Sequence, residues 1–245
     1  MSDSCFVVRL NRYLDLTPTE KTAIASLERE PREYASGNTL WQEGDDLSEL
    51  LIVHQGWALS ESRLSTGKRQ ILRFHFSGDL IGASGIAFRD APSSIVAATD
   101  MVVCRFPRRA LGETFIQHPR LAALFFSISQ MESIDLYDRL RALGRSEGKA
   151  RLANLFLSIA ARMRAVSGQH NPVVRIPLTQ SDLGDAVGLT QVHVNRLIRQ
   201  MTEEKLITRN RSTVTLLDEP RLIEISRFID RFSSLDSSWF PSPRG

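Results

Sequence analysis

The side chains best placed to do chemistry lie between residues 178 and 216, and their chemistry is recognition of nucleic acid. Gln191, Val192, Asn195 and Arg196 can meet base edges, because amides pair with adenine, guanidinium pairs with guanine, and a branched alkyl group packs on a thymine methyl. Thr179, Gln180, Thr190, His193, Arg199, Arg209 and Arg211 are of the kinds that position a protein on phosphates. The charge distribution agrees. The chain carries +3 overall, yet residues 145–215 hold eleven Lys and Arg against five acids, a net +6 that leaves −3 for the remainder.

These residues need two short helices and a hairpin to hold them. Thr179 and Thr190 each precede a helical pattern and can cap its first turn. Gly188 falls where the first helix must end in a left-handed residue. Leu183, Val187, Leu189, Val194, Leu197 and Ile198 supply an apolar set that holds the helices crossed, a helix-turn-helix. Residues 205–216 then read as strand, basic turn and strand, a wing with Arg209 and Arg211 at its tip.

From about Gly37 to Leu216 the chain resembles the Crp/Fnr family of winged-helix transcription regulators. The resemblance places Asn195-Arg196 at the end of the reading face and makes Arg196 the contact to guanine. Val192 stands where many members have an acidic residue, so the half-site is expected to depart from the family's usual one. The resemblance implies a homodimer on double-stranded DNA bearing an inverted repeat. It also implies contact with RNA polymerase near the loop at 167–171.

The rest of the chain fits an α+β architecture. Runs at 39–42, 50–54, 57–63, 70–76, 94–98 and 101–106, punctuated by glycines, suggest an antiparallel roll, which the resemblance identifies as a cyclic-nucleotide-binding type of sensor. A long helix is expected from Pro119 to about Leu143, with Leu121, Leu124, Ile128 and Met131 as its dimerisation seam. The expected domains are therefore 1–118 (sensor roll), 119–144 (dimerisation helix and hinge), 145–217 (winged helix-turn-helix) and 218–245. The last comprises a helix from Arg221 to about Phe232 and a disordered tail in which Trp239 and Phe240 could dock.

Gly82, Ala83, Ser84, Ser93 and Ser94 mark the candidate effector pocket. Ala83 replaces the glutamate that cyclic AMP binders use for the ribose, and Ala91-Pro92-Ser93-Ser94 lacks their phosphate arginine, a loss of about 2 kcal/mol or more. Leu136-Tyr137 replaces their adenine-binding Thr-Ser, so cyclic AMP is disfavoured. Haem, which some members bind, would need His75, but alternation sets His75 opposite Phe74 and Phe76 and toward solvent. Two cysteines 99 positions apart form neither a disulfide framework nor a CxxC metal site. Cys5 reads as an exposed bystander in a frayed terminus and Cys104 as core, so no metal or cofactor is expected. No signal peptide or membrane span is apparent, which places the protein in the cytoplasm. The alternative is an effector-dependent regulator that needs a small molecule, haem or a redox signal in the roll before it binds DNA, and a ligand-binding module whose winged helix contacts protein is a further competing reading. An enzyme is disfavoured, since GxSxG, HExxH and Walker patterns are missing.

Overall fold

The computed structural model describes residues 4–243. The chain divides into two compact units, residues 1–129 with 235–245, and residues 130–234.

The first unit opens with helix α1 (Cys5–Asn11), capped by the Ser4 hydroxyl on the Val7 amide, and α2 (Pro18–Ala25), whose Thr17 and Glu20 form a reciprocal capping box. Strands follow: β1 (Pro31–Tyr34), β2 (Thr39–Trp41), β3 (Glu49–Gln55), β4 (Trp57–Arg63), β5 (Arg69–Phe76) and β6 (Leu80–Ile81). After a 3-10 turn come β7 (Ser94–Ala97) and β8 (Met101–Pro107). They make two antiparallel four-stranded sheets, ordered β1-β8-β3-β6 and β2-β7-β4-β5. Leu51, Val53, Ile81 and Val103 from one sheet meet Ala58, Ile95 and Ala97 from the other, giving the roll a dry interior.

The opposite face of the first sheet, with Leu50, Ile52 and Phe106, is covered by helices: α1, α2, α3 (Arg108–Gln117) and the start of α4 (Pro119–Arg145). Leu121 and Leu124 are fully buried there, and Ile128 packs against the same cluster. That corrects the expected dimer seam at Leu121 and Leu124. The 3-4 spacing that suits a partner helix suits a chain's own core equally well, and here the helix-covered core of the roll takes Leu121 and Leu124. At 100° per residue, the exposed apolar side chains Phe126, Tyr137 and Leu140 lie on the other side of α4. The C-terminal segment is ordered as far as the description goes. Leu235 and Phe240 pack on the helix-covered cluster, and Trp239 meets Phe126 edge-to-face at 6.4 Å.

In the second unit α4 ends at Arg145 and α5 (Gly148–Ser167) begins after a two-residue break. Next are β9 (Val173–Arg175), α6 (Gln180–Val187), α7 (Gln191–Glu203), β10 (Ile207–Asn210), β11 (Thr213–Leu216) and α8 (Glu219–Ser226). The strands form one antiparallel sheet, β10-β11-β9. Leu152, Phe156 and Ile159 of α5 are buried with Leu183, Val194, Met201 and Leu222 as the core of this unit. Helix α8 is shorter than expected because Arg227 turns left-handed at φ 51° and stops it.

Arg164 of α5 reaches Glu219 at the start of α8 through two hydrogen bonds of 2.6 and 2.9 Å. Those bonds, with the arginine's charge, hold the Glu219 carboxyl below the usual glutamate range. A depressed carboxylate contributes stability that is present above its unfolded pKa and is lost as pH falls through the lowered folded value. Arg164→Met is therefore expected to destabilise this unit near neutrality, and the gap from wild type should close in acid. Denaturant titrations at stepped pH check it.

Candidate nucleic-acid interface

Helices α6 and α7 cross because the sequence lets their backbones touch. A β-carbon at Gly184 would lie 2.5 Å from the Leu189 carbonyl oxygen, closer than any side chain tolerates, so only glycine admits this turn. Gly188 ends α6 at φ 67°, and its amide bonds the Gly184 carbonyl. The caps form as the sequence implies: the Thr179 hydroxyl accepts from the Asp182 amide at 3.1 Å and the Thr190 hydroxyl from the His193 amide at 3.2 Å. Val194, Leu197, Ile198 and Met201 point inward.

Two arginines outside the pair hold the C-terminal end of α6. Arg139 of α4 donates to the Ala186 carbonyl at 2.8 Å, and Arg151 of α5 to the Val187 carbonyl at 3.3 Å. Cations at the carbonyl end of a helix are favourable electrostatically. Burial lowers the Arg139 guanidinium to about 10, which leaves it charged near neutrality. Sequence reasoning misses both residues. Neither lies in the recognition stretch, and both helices carry other arginines from which nothing in the sequence sets these two apart.

The outer face of α7 presents Gln191, Val192, Asn195, Arg196 and Arg199, all exposed, with Val192 80% accessible. Arg196 has no hydrogen bond or ion pair among the described residues, so its guanidinium is available to a base edge. Asn195 donates to Gln180 at 3.1 Å, tying the reading face to the first turn of α6. Arg199 is engaged by Glu203 at 2.9 Å across one helical turn, an exposed pair that phosphate can displace. His193 is half-buried.

The wing departs from expectation in one residue. Register pairs Asn210 with Thr213, so the turn is Arg211-Ser212, and only Arg211 stands at the tip, at φ 33°. Arg209 is half-buried, donates to the Leu178 carbonyl at 2.5 Å, and has its pKa lowered by burial. It ties the wing to the start of α6. Thr179, Gln180, Ile198, Arg209, Arg211 and Ser212 line an open cleft of about 540 Å³ between wing and helices. The basic charge is likewise less available than its sum suggests. Lys149 and Arg164 are engaged by Glu204 and Glu219, and Arg162 is buried.

In the roll, Gly82 takes φ 95° and opens the 3-10 turn Ala83–Gly85. A β-carbon at Gly85 would sit 2.8 Å from Pro92, so Ala83 and Ser84 come beside the segment of Ser93 and Ser94. The Ser93 carbonyl takes the Trp41 indole at 3.2 Å, and the Ser94 hydroxyl accepts from the Glu43 amide at 2.9 Å. His75 is not exposed: it is 4% accessible, with Nε2 at 2.7 Å from the Ser60 hydroxyl. It pairs with Ala58, whose side chain belongs to the roll interior, while Phe74 and Phe76 are buried on the other face, so both faces of β5 are covered there. Cys5 is likewise no frayed bystander. It begins α1, half-buried, with its Sγ 3.1 Å from Nδ1 of His54.

Comparison with known proteins agrees with both units. A cyclic nucleotide-binding domain model matches residues 31–118, and a Crp-like helix-turn-helix domain model matches 150–225. The transcriptional activator protein Anr of Pseudomonas protegens is 25% identical over 222 residues, 91% of each chain. The fumarate and nitrate reduction regulatory protein of Escherichia coli K12 is 23% identical over 91% of this chain and 88% of its own. FixK2 from Bradyrhizobium japonicum shares the fold with a TM-score of 0.72 at 22% identity, covering 80% of this chain and 96% of that one.

Gly184→Ala decides whether the backbone contact governs the interface. In a loosely packed helix the change would stabilise by up to ~1 kcal/mol. Against a carbonyl at 2.5 Å it is expected to cost about 1–3 kcal/mol and to abolish DNA retention. Denaturation and a duplex-binding assay on the same preparation check it.

Proposed function

Because the chain belongs to the Crp/Fnr family of transcription regulators, we propose that it binds, as a homodimer, an inverted-repeat promoter site and meets RNA polymerase there. The observation that carries the reading is the exposed Arg196 on the outer face of α7, unpaired among the described residues, beside Gln191, Val192 and Asn195. In a twofold dimer these two faces enter successive major grooves about 34 Å apart. Arg196 reads a guanine, Val192 packs on a thymine methyl, and Arg211 at the wing tip holds phosphate. Thr179, Gln180, Thr190, His193 and Arg199 flank them as further phosphate contacts, and Arg209 serves the wing's position first.

The dimer forms through Tyr137 and Leu140 on the outer row of α4, and not through Leu121 and Leu124. Tyr137 and Leu140, both exposed and three residues apart on one face of the helix, form an apolar patch that a second copy would cover. No helix among the described residues is long and apolar enough to cross a membrane, and we place the protein in the cytoplasm with its DNA. The relatives it resembles are transcriptional regulators, and the reading is of a regulator without enzymatic activity. A second reading, in which an effector within the roll gates DNA binding, is favoured by the polar pair Ser60 and His75 buried in the roll on the same face as Arg73, the register partner of Ser60.

Arg196→Ala is expected to cost about 1–3 kcal/mol and to relax preference at one base pair of each half-site. Arg211→Ala should weaken binding to all sequences alike and lower the salt slope by about 1. Anisotropy titrations on matched and singly altered duplexes at several salt concentrations separate the two; an equal loss on every sequence for Arg196→Ala overturns its assignment. Leu140→Glu should shift sedimentation toward monomer while leaving the fold intact, whereas an unchanged mass would exclude the outer row of α4.

A further inference from the structure

Three side chains of different chemistry converge at the edge of the roll, on segments far apart in sequence. Cys5 stands at the first turn of α1, Glu28 follows α2, and His54 lies near the end of β3. The Sγ of Cys5, a ring nitrogen of His54 and a carboxylate oxygen of Glu28 lie within 4.8 Å of one another, and all three residues are half-buried.

We propose that Cys5, His54 and Glu28 bind one divalent ion of the zinc class. Zinc takes sulfur at about 2.3 Å and imidazole nitrogen at about 2.0 Å, so tetrahedral ligation would set Sγ and Nδ1 about 3.5 Å apart. They stand 3.1 Å apart, and rotation of either side chain supplies the difference. Thiolate and carboxylate together carry two negative charges, which a divalent ion neutralises, as a half-buried position requires. The soft sulfur and the imidazole select a zinc-like ion over magnesium or calcium, which prefer all-oxygen cages.

An outer shell is already in place. The Ser4 hydroxyl and the Phe6 amide both donate to Oε1 of Glu28, at 2.7 and 2.6 Å, which fixes the carboxylate and leaves Oε2 for the ion. Burial, reinforced by the Glu28 charge, pushes the Cys5 thiol up. Binding then forms the sulfur–metal bond and releases the thiol proton to solvent. A fourth position falls to water. Cys104 faces the same side of the sheet as Ile52, its partner across the β3–β8 register, close enough to feel both Cys5 and Glu28, but it stands outside the triad. The ion would pin α1 to the sheet, giving the sensor unit a ligand that acts independently of the winged helix.

The test uses the full-length chain, reduced and stripped with chelator, titrated with Co²⁺ under exclusion of air. One Co²⁺ per chain with a thiolate-to-cobalt charge-transfer band is expected, displaced stoichiometrically by Zn²⁺. Cys5→Ser should abolish the band. His54→Gln and Glu28→Gln should weaken binding by at least about tenfold, the lower limit for losing even an outer-shell partner. Cys104→Ser should retain the band. A folded wild type that shows no band, or a band that survives Cys5→Ser, overturns the site. Should Cys5→Ser fail to fold, His54→Gln decides alone, with unaltered Co²⁺ affinity as the overturning result.

Discussion

The contact between the backbone at Gly184 and the Leu189 carbonyl sets the geometry on which recognition depends. It fixes how closely α6 and α7 approach, and so which side chains of α7 are buried and which are left outside. With Val194, Leu197, Ile198 and Met201 committed inward, Gln191, Val192, Asn195 and Arg196 have nowhere to go but the surface. The wing depends on the same frame, since Arg209 hangs it from the Leu178 carbonyl just before the Thr179 cap. A groove-reading surface needs this rigidity, because a base contact displaced by an ångström no longer distinguishes one base from another.

Beneath that frame lie Arg139 and Arg151, which clasp the carbonyl end of α6. Arg139 belongs to α4, the helix whose outer row we assign to dimerisation. Its bond gives a path by which the position of α4 fixes the position of the recognition pair. Burial lowers the Arg139 guanidinium and the nearby Asp135 charge partly offsets that, while the Ala186 carbonyl takes one of its N–H groups.

Much of the fold and of the recognition face is legible in the sequence because each depends on local rules. Thr179, Thr190 and Gly188 announce the ends of two helices by residue type, and the alternation of glycine turns announces the roll. Local rules do not say which neighbour covers a face. Leu121 and Leu124 show the spacing of a coiled-coil seam, yet the chain's own helix-covered core accepts the same stripe. His75 alternates correctly with Phe74 and Phe76, but periodicity cannot reveal that both faces of β5 are covered. Cys5 looks incidental in the sequence, since residues 5, 28 and 54 meet only after α1 docks on the sheet. Composition alone puts Arg209 at the wing tip, whereas strand register decides which residue occupies a turn.

Selection of duplexes by the purified, reduced protein from a random pool at a fixed salt concentration tests most directly whether the α7 face reads bases. We expect enrichment of an inverted repeat whose half-site centres are about one helical turn apart, with a guanine in each half that loses its preference when Arg196 is alanine. Sequence-blind retention governed by salt alone, or an enriched single half-site without symmetry, would show that α7 does not read DNA as a twofold pair.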